Sequence, residues 1–194
     1  MNYWILAKDA LEGGLIDAYP RGSPAGDLWD LGAPLLPGYP KGASVGFSDN
    51  FPDARRLEDF QPNILSALIV SPKVREVLTQ LDVPDIEVLP VAIRNHRDEV
   101  VGPDHAFINP LGSQEALDME KSTYRMGALD KTQISRMKAL VMSPQRIAPT
   151  AKLFRCRNYL TLIMIRDDVR EAFERAQLTG YRLISPEGWT GRGL

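Results

Sequence analysis

The sequence is poor in reactive side chains. Its 194 residues hold one cysteine, Cys156, and two histidines, His96 and His105. One thiol cannot form an internal disulfide, which fits a reducing compartment. No apolar run approaches the roughly 18 residues of a membrane-spanning helix, so none is expected. The opening stretch MNYWILAKDALEGG lacks a basic segment followed by a long apolar core and a small-residue cleavage site. The expected location is cytoplasmic. Absent too are a G-x-S-x-G elbow, a G-x-G-x-x-G loop after a strand, a Walker A string, an H-E-x-x-H pair and a C-x-x-C pair. These gaps remove the recognisable hydrolase, nucleotide-binding, zinc-protease and dithiol classes.

The few groups left for chemistry have plainer uses. His96 and His105 could share a metal with Asp98 or Asp104, but two histidines in a Pro/Gly-bearing connection make a weak ligand set. No metal and no cofactor are expected. Cys156 lies between Arg155 and Arg157, and cations lower a thiol pKa. Strand alternation, however, sends those arginines to the face away from the sulfur, so Cys156 reads as a buried thiol. Asp118 and Glu120 could work as acid and base, yet with no cleft signature they read as solvated carboxylates. No catalytic residue is expected.

What is present is a patterned globular chain, 44% apolar and 25% charged, long enough to bury a core unaided. Residues 63–90 and 158–185 align without a gap. They agree in apolar or polar character throughout, with five identities in 28 positions (Asn63/Asn158, Leu65/Leu160, Val74/Val169, Arg75/Arg170, Glu76/Glu171). Both read strand, helix, strand. Ser71-Pro72 is an N-cap with proline at the first helical position, and Val74, Val77, Leu78 and Leu81 recur at helical spacing. Asp167 and Asp168 place negative charge at the second helix's N-terminus. Val169, Ala172, Phe173 and Ala176 repeat the stripe, and Gly180 reads as its stop. Further strands are expected at residues 3–7, 105–109, 137–142, 153–156 and 159–165, with a short helical or irregular piece at 114–122. The expected fold is α+β: a mixed central sheet with packed helices and two similar strand–helix–strand units. Residues 63–194 would form this domain. Residues 1–62 would form a strand and an arm, one structural unit with it. The arm is loop-like, with eleven Gly or Pro among residues 20–46. Trp29, Leu31, Leu35 and Leu36 are expected to pin it to the core.

Charge is segregated along the chain. Residues 98–120 carry six acids (Asp98, Glu99, Asp104, Glu115, Asp118, Glu120) and no Lys or Arg. Residues 121–157 carry nine basic residues and one acid, Asp130. Such neighbours either face each other in the fold or make a polarised surface that attracts a charged partner. Tyr124 and Phe154 lie among the cations, where aromatics can stack on bases. No nucleic-acid module accompanies them and the chain is slightly acidic overall, so direct nucleic-acid binding is not expected.

Three stretches carry a family likeness. FINPLGSQEALDMEKSTY (107–124) has a strand ending in Asn followed by a Leu-Asp-x-Glu-x-Ser element. LFRCRNYLTLIMIRDDVREAFERAQLTGYRLI (153–184) has a strand, a helix and a Leu-Thr-Gly ending. LIVSPKVREVLTQL (68–81) has a first strand–helix step. In this order and spacing the chain resembles the immunity proteins of bacterial polymorphic toxin systems, a family named after a myxobacterial immunity protein. The likeness runs from about residue 64 to the C-terminus. The arm shares only its variable, Pro/Gly-rich character. The resemblance implies a binding protein that neutralises a cognate toxin in the cytoplasm during interbacterial competition, for example through type VI secretion, and suggests a nuclease-type toxin. A nuclease cleft is basic. Carboxylates of Asp98, Asp104, Glu115, Asp118 and Glu120 would then serve as phosphate mimics, with Asp118 and Glu120 foremost. The competing reading for Asp118 and Ser122 is local capping of residues 114–122. A homo-oligomer, a scaffold subunit and a small enzyme without a known motif remain the other readings.

Overall fold

A computed structural model describes residues 2–9 and 13–193, and β-structure prevails in it. A first sheet is antiparallel throughout and takes β1 (Tyr3–Lys8), β8 (Leu153–Cys156), β9 (Tyr159–Arg166) and β10 (Tyr181–Ile184) in the order β10-β1-β9-β8. A second takes β2 (Ser44–Gly46), β3 (Leu68–Val70), β4 (Ile86–Arg94) and β5 (Val100–Pro110) in the order β2-β4-β5-β3, with only β2 and β4 parallel. β6 (Thr123–Met126) and β7 (Ile134–Ala139) form a separate hairpin. Among the described residues the α-helices are α1 (Pro72–Gln80) and α2 (Asp167–Arg175), nine residues each.

This overturns the expected α+β fold with one mixed central sheet and two strand–helix–strand units. Periodicity shows which residues can be strands but not which strands pair. β3 and β4, on either side of α1, are not neighbours; each pairs with β5. β9 and β10, on either side of α2, both pair with β1. Two short helices cannot cover two sheets, so hairpins and the arm cover the remaining faces.

Alternation along the strands feeds three cores. In β9, Ile163 and Ile165 enter a first core with the α1 stripe (Val74, Val77, Leu78) and the α2 stripe (Val169, Ala172, Phe173). Leu162 and Met164 enter a second core with Ile134 and Met137 of β7 and with Trp189. In β5, Ile108 joins the first core, while Phe107 joins a third with Leu89, Val91, Ile93 and the arm residues Trp29, Leu35 and Val45.

Several local signals operate as chemistry requires. Ser71 caps α1 by accepting from the Val74 N–H at 3.4 Å and donates to Asp59 at 2.6 Å. Asp167 accepts the Trp4 indole N–H at 2.9 Å. Gly180 has another task than stopping α2. The left-handed residue after that helix is Gln177 (φ 50), while a Cβ on Gly180 would sit 2.1 Å from the Phe60 carbonyl oxygen. Of the four expected arm anchors, Trp29 and Leu35 are buried, whereas Leu31 and Leu36 are exposed. Trp29 stacks on Tyr19 at 4.5 Å and meets Phe107 at 4.7 Å.

Candidate partner surfaces and buried polar sites

The acidic stretch divides between two parts of the fold. Asp98 lies in the turn from β4 to β5 at φ 61, and Asp104 lies exposed within β5. Glu115, Asp118 and Glu120 follow β5 in a segment anchored to the second core by Ala116 and Leu117. That segment bridges to Cys156 through Gln114 and to Met142 through Leu117.

Cations from elsewhere compensate much of its charge. Asp98 lies 3.5 Å from Arg94. Glu115 is paired with Arg157. Asp118 lies 3.1 Å from Lys121, and its other oxygen accepts the N–H groups of Glu120 at 3.2 Å and Lys121 at 3.1 Å. The Lys121 side chain, with these N–H groups, holds the Asp118 carboxyl below the usual range. Asp118 therefore caps its own turn. Ser122 exchanges two hydrogen bonds with Val141, donating at 3.3 Å and accepting at 2.9 Å. Among the described residues, the carboxylates of Asp104 and Glu120 have no ion pair.

A buried seam that sequence reading missed joins the arm to both large sheets. Arg155 is 2% exposed. Its guanidinium donates to the carbonyl oxygens of Trp29 (2.9 Å), Leu160 (2.9 Å) and Pro110 (3.3 Å), and to Asn109 Oδ1 at 3.5 Å. Asn109 donates onward to Ala33 O at 2.9 Å and to Glu87 at 3.1 Å. Glu87 accepts the N–H groups of Leu35 and Leu36, both at 2.9 Å. Gly32 (φ 65) runs so close that a Cβ would sit 2.6 Å from the Gly112 carbonyl oxygen. Burial pushes the Arg155 pKa down, against the pull of Asp30. Burial also pushes the Asp30 carboxyl up and the Tyr19 phenol up to about 12.

A cavity of about 390 Å³ opens between β1, β9 and residues 63–68. Lys8 lines it, donating to Asn63 Oδ1 at 2.9 Å and to the Leu65 carbonyl. Burial pulls its pKa down to about 8. The amine is thus spent holding the 63–65 backbone.

The other reactive groups are enclosed or occupied. Cys156 is buried in the second core, which drives its thiol pKa up and leaves it protonated. His96 contacts the Ser48 carbonyl at 3.1 Å. His105 is buried, which lowers its pKa. Among the described residues neither histidine hydrogen-bonds to a hydroxyl or thiol side chain. In the same residues no three His, Cys, Asp or Glu side chains converge as metal ligands, and no helix is long and apolar enough to cross a membrane.

Compared with known families, residues 18–185 match the model of the immunity protein family Imm11. The match takes in the Pro/Gly-rich arm as well as β2 to β10. No curated protein matches.

Proposed function

The chain belongs to the Imm11 immunity protein family, and from this we propose that it neutralises a cognate bacterial toxin by binding it. The observation that carries the reading is the match across residues 18–185. The burial of Arg155 and Cys156 supports it, because the guanidinium is held by carbonyl oxygens and the thiol lies in the second core. A stable complex of this kind buries on the order of 1,600 Å², and complementary charge speeds its formation.

Within this reading, the toxin is of nuclease type and is met in the cytoplasm. Of Asp98, Asp104, Glu115, Asp118 and Glu120, Asp104 and Glu120 are then best placed to face a phosphate-binding cleft, since among the described residues neither carboxylate is in an ion pair; Arg75 donates to the Asp104 carbonyl oxygen, at 2.6 Å. Asp98, Glu115 and Asp118 would first have to leave Arg94, Arg157 and Lys121.

Co-expression with a candidate cognate toxin domain tests the proposal. Cells should survive induction, and the two proteins should copurify. Death at the rate seen with the toxin alone, with no copurification, would exclude it. The enzyme alternative rests on the Lys8 cavity. Replacing Lys8 with Met should leave protection intact; loss of protection by the folded variant would turn attention to that pocket.

A further inference from the structure

The β6–β7 hairpin has two unlike faces. Tyr124, Met126, Ile134 and Met137 pack inward on the second core. Thr123, Arg125, Ser135, Arg136 and Lys138 are exposed. The register shift beyond Arg125 sets Arg125 directly opposite Arg136. Like charges facing each other across a two-stranded ladder are destabilising, and among the described residues no partner strand or helix covers this face to offset them.

The C-terminal tail adds to the same charge. Trp189 is buried, and its indole N–H donates to the Arg192 carbonyl at 2.7 Å. Leu140 holds the tail by two backbone bonds, to Trp189 O at 3.0 Å and from Gly188 N at 2.9 Å. Gly191, at φ 78, passes so near β7 that a Cβ would lie 3.0 Å from the Met137 carbonyl oxygen. The tail thereby becomes one wall of a groove of about 350 Å³ lined by Arg136, Met137, Lys138, Thr190 and Arg192.

Among the described residues, Arg125, Arg136, Lys138 and Arg192 have no carboxylate within 4.0 Å. Arg94, Lys121, Arg157, Arg166 and Arg170 do. Arg136, Lys138 and Arg192 thus bring three cations without a carboxylate to one groove, with Arg125 facing Arg136, whereas Asp98, Glu115 and Asp118 of the acidic stretch are paired. At the hairpin tip Leu129 is fully exposed. Its turn is nonetheless braced, since Gln133 donates to Arg157 O at 3.0 Å and accepts from Leu160 N at 3.2 Å, and Asn158 donates to Thr132 O at 3.1 Å.

We propose that the outer face of β6–β7, with Arg192 of the tail, is a docking surface for an acidic patch on a partner protein. The inference rests on the reading above that this chain acts by binding a protein, and it adds a second, cationic contact to the acidic one of Asp104 and Glu120. Carboxylates entering the groove would relieve the Arg125–Arg136 repulsion and meet Arg136, Lys138 and Arg192 together. A protein fits better than a nucleic acid. The aromatic of the hairpin, Tyr124, packs inward and leaves no ring to stack on a base, while the tip offers an apolar knob.

The test uses the full chain and a triple reversal, Arg136→Glu, Lys138→Glu and Arg192→Glu. A matched reversal of exposed cations elsewhere, Arg21→Glu, Lys41→Glu and Lys73→Glu, serves as control. Melting curves and circular dichroism establish that both fold; a triple Gln variant replaces the reversal if it does not. Labelled poly-L-glutamate is the probe, titrated at about 20 mM salt where screening is weak. The wild type and the control should bind it. The groove variant should bind at least about tenfold more weakly. Equal binding by groove variant and control would overturn the proposal. So would no binding by the wild type, or tighter binding of duplex DNA or single-stranded RNA of equal charge. In co-expression with the toxin, full protection by the groove variant would overturn this inference and leave toxin binding intact. Failure of the wild type to protect would remove toxin binding itself, and the poly-L-glutamate titration would still judge the groove.

Discussion

Arginine occurs in this protein in two opposite situations, both without a carboxylate against the guanidinium. Arg155 is sealed beneath the arm and held by carbonyl oxygens from three separate segments. Arg125 and Arg136 face each other in solvent with no partner among the described residues. In the first case the cation replaces a hydrophobic plug where three backbone oxygens would otherwise lie buried without donors. In the second, the charges add nothing to the fold and cost it a little. An unpaired cation is therefore architectural when its N–H groups are satisfied, and available for recognition when they are not.

The comparison can be broken most forcefully at the cover over Arg155. Trp29→Ala removes a ring packed on Tyr19 and Phe107 and should cost about 3–5 kcal/mol, read as a lower urea midpoint. Arg155→Met should cost somewhat less, about 2–3 kcal/mol. The oxygens of Trp29, Leu160 and Pro110 lose their donor, while the expense of burying a charge disappears. Arg155→Lys should recover only part of the loss, because a single ammonium cannot match three diverging oxygens. If Arg155→Met unfolds at the wild-type midpoint, the seam is not structural.

A smaller, pH-dependent effect belongs to His105. Burial, then Arg75, lowers its pKa, against Asp59 and Asp104. The folded state therefore takes up a proton less readily than the unfolded chain. The stability that His105 contributes is complete above the unfolded imidazole value, roughly 6.5, and is lost as pH falls through the lower folded value. His105→Gln should flatten this part of a stability–pH curve, and an unchanged slope would assign the dependence to other groups. The smallest effect has the opposite sign from that at Arg155. Arg136→Gln should stabilise the protein by about 0.5 kcal/mol by relieving the opposed pair, seen as a slight rise in Tm.

How much of this was legible depended on whether the signal was local. Ser71-Pro72 and Asp167-Asp168 marked the helix starts, and LFRC followed by YLTLIMIR marked the β8–β9 hairpin, because capping and alternation lie within a few residues. The division into separate sheets was not legible. β5 between β3 and β4, and β1 between β9 and β10, are long-range choices that no apolar pattern encodes. Arg155 was hidden because a pattern of polar and apolar letters assigns arginine to water. Its one signal was its place in a strand, two residues from the buried Leu153 and on the same side. The acidic run was read correctly as composition, but Arg94 and Arg157 reach it only through the fold. The like-charged hairpin was present as a basic stretch; the opposed register and the tail that completes the groove were not.

The place of β1 has a consequence for how the molecule is made. Among the described residues its strand partners are β9 and β10, so residues 3–8 have no strand to pair with until the chain through residue 166 has been made. The second sheet, drawn from residues 44–110, has all its strands far earlier. Synthesis therefore delivers one half ready to assemble while the other stays open. Synthesis of β9 and β10 closes the first sheet around β1, made long before them.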